Sequence, residues 1–237
     1  MKTLNNRFTI ALGIAMLLQA ITSLVSGGIL FAPLVDKTDI AATMTNIAQN
    51  QFKADLSVFL DIITALGIVW LAVLLFSLLR KVNGVWATTA LALYILEASI
   101  LVMSKFAAYA LIQVSSMYAL NGDKALQVTG QLLLQVKDFS YNMHMVPCGI
   151  GAILFYYLLF KSKTLPSWIP LWGLVTMIPV LFGTVLRTYG VDVPIVIMFP
   201  YIPFEFFVGA FILIRGLSDN ASSEQYAVPS HYALGKS

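Results

Sequence analysis

Glu97, Lys105, His144 and Glu205 are among the ionisable side chains that fall inside stretches too apolar to leave water around them; Asp61, Asp138 and Arg187 lie in the outer thirds of theirs. Two acids at membrane depth can carry a proton between them or meet a cationic or polar ligand. With His144 as a third group they can be read as acid–base machinery, provided all three reach one substrate. Each acid also has a phenol on its own helical face. Tyr94 is three residues before Glu97, and Tyr201 is four before Glu205. The bland reading is that each acid is hydrogen-bonded to its tyrosine and holds helices together. The sharper reading is a pocket lined by Glu97, Glu205, Tyr94 and Tyr201, with His144 and Asp138 as further ligand-binding candidates.

His144 and Asp138 come from "KDFSYNMHMVPCGIGA". At the start of a helix Asp138 suits an N-cap, where a carboxylate accepts free N–H groups. A single membrane histidine has no metal-ligand spacing, so no metal site is expected. The one cysteine, Cys148, allows no intrachain disulfide and reads as small packing. No nucleotide loop, hydrolase elbow, C-x-x-C or haem-attachment motif occurs. No cofactor is implied; the expected function is non-enzymatic, in binding, transport or a regulatory role, and an intramembrane enzyme using Glu97, Glu205 and His144 is the lesser reading.

The elements that must position these groups are long apolar blocks. The chain has 237 residues, 59% hydrophobic and 11% charged, where soluble domains carry about 25% charged residues. Six blocks run roughly over 8–34, 56–79, 85–112, 138–160, 168–188 and 194–215. Each is long enough to cross the ~30 Å hydrocarbon core as a helix. Helices satisfy their own backbone in lipid, and none of the blocks alternates as a barrel strand would. The expected fold is all-α, a polytopic bundle of six transmembrane helices over residues 1–216, followed by a flexible cytoplasmic tail at 217–237. The first block is too long for a signal-peptide core and is read as a membrane helix.

Charge sets the orientation. Lys2, Arg7, Arg80, Lys81, Lys161, Lys163 and Arg215 fall on one side if six spans alternate. The positive-inside rule then places both termini in the cytoplasm. The net charge of +3 needs no nucleic-acid partner, because the basic residues sit at helix ends. The expected surroundings are the lipid bilayer and a small molecule or lipid. Two outer loops are expected to form short amphipathic helices: "DKTDIAATMTNIAQNQF", capped by Thr38 or Asp39, and "NGDKALQVTGQLLLQVKDF".

Depth follows from counting ~1.5 Å per residue. Glu97 lies ~20 Å in from Gly84 and Glu205 ~15 Å in from Arg215, both near the bilayer centre. Lys105 reaches the outer boundary and is expected to snorkel outward. Pro200 and Pro203, just before Glu205, are expected to kink or unwind the sixth helix at mid-depth.

The segment "GIGAILFYYLLFKSKTLPSWIPLWGLV" (149–175) carries Tyr156, Tyr157, Leu158, Leu159, a short basic turn with Lys161 and Lys163, then Pro166, Trp168, Trp172 and Gly173. This pattern resembles the domain-of-unknown-function 4386 family of bacterial six-helix membrane proteins. The glutamates of "YILEAS" and "PFEFFVGA" also look like that family's acidic positions. The resemblance implies six helices in a bacterial inner membrane and no particular reaction.

Overall fold

The apolar blocks become helices for the reason anticipated: an i→i−4 ladder satisfies every interior N–H and C=O without water. The computed structural model describes residues 6–191 and 193–218. Among them are seven α-helices and no strand: α1 (Asn6–Ser23), α2 (Ile40–Gln49), α3 (Gln51–Leu79), α4 (Gly84–Asn121), α5 (Lys124–Ser162), α6 (Trp168–Thr188) and α7 (Tyr201–Arg215). Most of the tail expected at 217–237 lies outside the described residues. Leu217 is still buried, and the Ser218 N–H donates to the Thr164 carbonyl at 2.9 Å.

Five helical segments are long and apolar enough to cross a membrane: Asn6–Leu34, Gln51–Leu79, Gly84–Asn121, Lys124–Ser162 and Trp168–Thr188. The protein is therefore a helical membrane protein. The sixth block is divided. A 3-10 turn at Ile195–Met198 precedes α7, which has 15 residues and is about 22 Å long. The prolines do not kink a continuous helix. Pro200 is the N-cap of α7 and Pro203 lies in its first turn, where a missing N–H costs nothing. They begin a helix close to Glu205.

Asp39, one of the two expected caps, caps α2. Its carboxylate accepts the Ala41 and Ala42 N–H groups at 2.8 and 3.2 Å. Met44 and Ile47 of α2 are fully buried, and the helix packs on α4 and α5. In the preceding turn Asp36 accepts the Thr38 N–H, the Thr38 hydroxyl and the Asp39 N–H, which hold its carboxyl below the usual carboxylate value. The second expected loop helix is not a separate element. Residues 124–142 are the opening turns of the 39-residue α5. Only Gly122, left-handed at φ 63°, and Asp123, the N-cap of α5, separate it from α4.

That continuity corrects the reading of Asp138. It lies in the interior of α5, exposed, and pairs with Lys137 at 2.8 Å; no helix begins there. Lys105 is corrected as well. It does not reach outward but is 7% exposed and ion-paired with the buried Asp61 of α3. A facing carboxylate from a neighbouring helix holds it in, and sequence depth alone cannot reveal such a partner.

The long helices pack in chain order: α1 on α3, α3 on α4, α4 on α5, α5 on α6, α6 on α7. α7 then packs on α1 and closes the ring. Two glycines permit that closure. A Cβ on Gly13 would lie 2.6 Å from Leu213 Cγ, and one on Gly209 would lie 2.8 Å from Leu17 Cγ. Each helix thus receives a leucine of the other where it has no side chain, the small-residue contact that lets membrane helices approach closely. After α1 the backbone widens into a π-helical segment, Leu24–Phe31. It is tied to α3 by Ser26 Oγ, which donates to the Ser57 carbonyl at 2.8 Å. Its glycines leave room at the ring's interior, since a Cβ on Gly27 would meet nothing within 4 Å.

Candidate functional site

Closing the ring puts residues of α4 and α7 on the wall of one cavity. The cavity holds about 350 Å³, and Glu97 and Glu205 both line it. Gln19 of α1, Tyr141, His144 and Cys148 of α5, and Tyr201 of α7 supply the rest of its polar wall. Ile68, Leu101, Val180 and Ile202 are among its apolar residues.

Glu205 is well supplied with donors. Its Oε1 accepts from Gln19 Nε2 at 3.2 Å and from the Tyr201 hydroxyl at 3.0 Å. The expected phenol–acid pair on one helical face is therefore present in α7. Tyr201 has a single proton, which it spends on Glu205. The Tyr156 hydroxyl, 2.9 Å from that of Tyr201, must then be the donor between the two phenols. The chain Tyr156→Tyr201→Glu205, with Gln19 converging on the acid, joins α5, α7 and α1.

Glu97 is different. It is 4% exposed and lies against the Cys148 thiol, and its Oε2 has no hydrogen-bond partner. Neither glutamate takes part in the Lys105–Asp61 or Lys137–Asp138 ion pair. An unsatisfied buried acceptor costs about 1–3 kcal/mol.

Tyr94 does not take the place expected of it. It is buried against Phe155, with ring centroids 5.1 Å apart, and stands over Gly151. It is not part of the cavity wall. A phenol three residues from an acid shares its general face, but here a neighbouring glycine on α5 offers the ring a better slot. His144 is where acid–base chemistry would want it, on the cavity wall and 5% exposed. Its Nδ1 is bonded to the Tyr141 carbonyl, which can only accept. Nδ1 therefore carries a hydrogen, and in the neutral ring Nε2 keeps its lone pair. Asp138 lines a second, adjoining cavity and not this one.

Sequence reading overlooked Gln19, Tyr141, Tyr156 and Gly27, and took Cys148 as packing. Gln19 offered a signal, being an amide within an otherwise apolar block. Nothing local marks Gly27, whose role depends on the π-helical turn.

The family profile described as a domain of unknown function (DUF4386) matches residues 11–216. No curated protein and no solved structure matches the chain.

Proposed function

The chain belongs to the DUF4386 family, whose description carries no reaction, and from that premise we propose that it is a non-enzymatic binding or transport protein with a small-molecule or lipid site at its midplane. The observation that carries this reading is the unpartnered Oε2 of Glu97, buried in a cavity that Glu205 also lines. The ligand best suited to it has an apolar body and one polar hydrogen or cationic group. Its body meets Ile68, Leu101, Val180 and Ile202, while its donor meets Glu97. The volume sits at the lower end of the range for small-molecule sites, about 300–1,000 Å³.

Native mass spectrometry of protein extracted from its membrane in mild detergent tests the reading. Wild type should retain a non-protein mass. Glu97→Gln, which keeps the shape but cannot ionise, should retain clearly less of it. Gly27→Phe, which fills the open space beside the π-helical segment, should retain none. Identical spectra from the three proteins, with or without a bound mass, would remove the cavity as a binding site.

The reading extends to topology. We place the chain in a bacterial inner membrane as a single six-span domain over 1–216, with α7 and its preceding turn forming the sixth span and both termini cytoplasmic. The Lys/Arg bias supports this arrangement. Reporter fusions after residues 82, 164 and 220 should be cytoplasmic, and those after 45, 122 and 190 external. One reversed interior fusion breaks the six-span scheme.

One observation favours an intramembrane enzyme as the second reading: His144 shares the cavity with both acids and keeps Nε2 as an acceptor. Acid–base work with Glu97, Glu205 and His144 would need a substrate touching all three.

A further inference from the structure

Beside the acid-lined cavity lies another of about 320 Å³, and its chemistry is of the opposite sign. Gly27 and Tyr141 line both. Three amines from three elements line the second one: Lys37 from the connection before α2, Lys105 from α4 and Lys137 from α5. Two carboxylates accompany them, Asp61 and Asp138, so three formal positive charges face two negative ones. Phe31, Ala32, Val35, Val58 and Ala108 make up an apolar wall.

We propose that this second cavity binds the head of an anionic amphiphile, a carboxylate or phosphate carried on an alkyl chain. An ammonium has three donors. Lys105 directs one to Asp61, and Lys137 directs one to Asp138 while standing 4.4 Å from the Phe31 ring centre. Lys105 lies 5.7 Å from the Tyr141 ring centre and is 7% exposed, so water does not reach its remaining N–H groups freely. An oxyanion placed between Lys105, Lys137 and Lys37 accepts these donors and neutralises the excess charge. Charge-assisted bonds of this kind are the stronger class. A cationic head meets the excess of amines and is refused. A free inorganic anion satisfies the amines but leaves the wall from Phe31 to Ala108 wet, whereas an alkyl chain covers it.

This site is separate from the reading of the acid-lined cavity, and each can fail alone. Oleate, oleyl alcohol and inorganic phosphate are the probes, titrated onto the full chain in a neutral detergent and read by native mass spectrometry. Oleate should bind at least roughly tenfold more tightly than either of the others, a margin of about 1.4 kcal/mol. Oleyl alcohol keeps the chain without the charge, and phosphate keeps the charge without the chain. The double variant Lys37→Gln/Lys137→Gln should lose oleate by a similar factor, and Lys37→Arg/Lys137→Arg should keep it. Lys37 is exposed and Asp138, the partner of Lys137, is 57% exposed at its side chain, so neither change strands a buried charge. The Glu97-dependent mass should be unaffected in both variants. Equal binding of oleyl alcohol overturns the proposal in favour of an unselective apolar cleft. Equal binding of phosphate overturns it in favour of a small-anion site. Unchanged oleate binding in the double glutamine variant overturns the assignment of the cavity.

Discussion

Replacing Lys105 with alanine should destabilise the folded bundle by about 3–5 kcal/mol, because it leaves the Asp61 carboxylate buried without its cation. Asp61→Ala should cost a similar amount from the other side. Both side chains are 8% exposed, so a partner left behind recovers little hydration. The pair crosses from α3 to α4, and its loss should also loosen the contact between those helices. The double variant Asp61→Leu/Lys105→Met removes both charges and keeps most of the volume. It should recover most of the loss, since an apolar pair of similar size is often as stable as the ion pair it replaces. Thermal unfolding in detergent measures all three. Single variants costing less than about 1 kcal/mol would mean a solvated pair of the surface kind and refute the buried bridge.

Gly209→Leu should be strongly damaging at the closure of the ring. Even a methyl group there would stand 2.8 Å from Leu17 Cγ and 3.3 Å from Met16 Cβ. Overpacking of this kind costs typically about 1–3 kcal/mol, and a whole leucine at a helix crossing sits at the upper end. The functional consequence is larger than the stability loss. The Gln19–Glu205 bond runs between the same two helices, so separating them opens the donor network around Glu205. Gly209→Leu should lower the melting temperature and abolish the Glu97-dependent bound mass together. Adding Leu17→Ala vacates the space that the new side chain needs and should restore much of both. If the leucine variant melts like wild type, α1 and α7 do not meet as closely as the glycines indicate. If Leu17→Ala gives no rescue, the damage arises elsewhere.

The separation of legible from illegible residues follows the geometry of a helix. A count along the chain yields one coordinate, depth. That coordinate was enough to set Glu97 and Glu205 at a common level, and they do line one cavity. It was also enough to begin the fifth block at Trp168 and end it at Thr188, and to narrow the cap of α2 to Thr38 or Asp39, because caps and apolar runs are local properties. What depth does not contain is rotation about the helix axis and the identity of the facing helix. Tyr94 shares a face with Glu97 by spacing, yet Gly151 of α5 draws it away from the cavity. Lys105 is near a boundary by count, yet Asp61 keeps it inside. Pro200 and Pro203 look like a kink within a span, yet they stand at the start of a helix.

The amino-acid sequence by itself determined the helical membrane class, since composition alone decides whether a backbone must satisfy itself without water. Counting along the helices also put the two acids at similar depths. The tertiary structure decided that they line one cavity, with α7 closed on α1 at Gly13 and Gly209. It decided as well that one acid is supplied with donors while the other keeps an open oxygen. Those facts depend on which helices become neighbours, and the packing of the whole ring selects them.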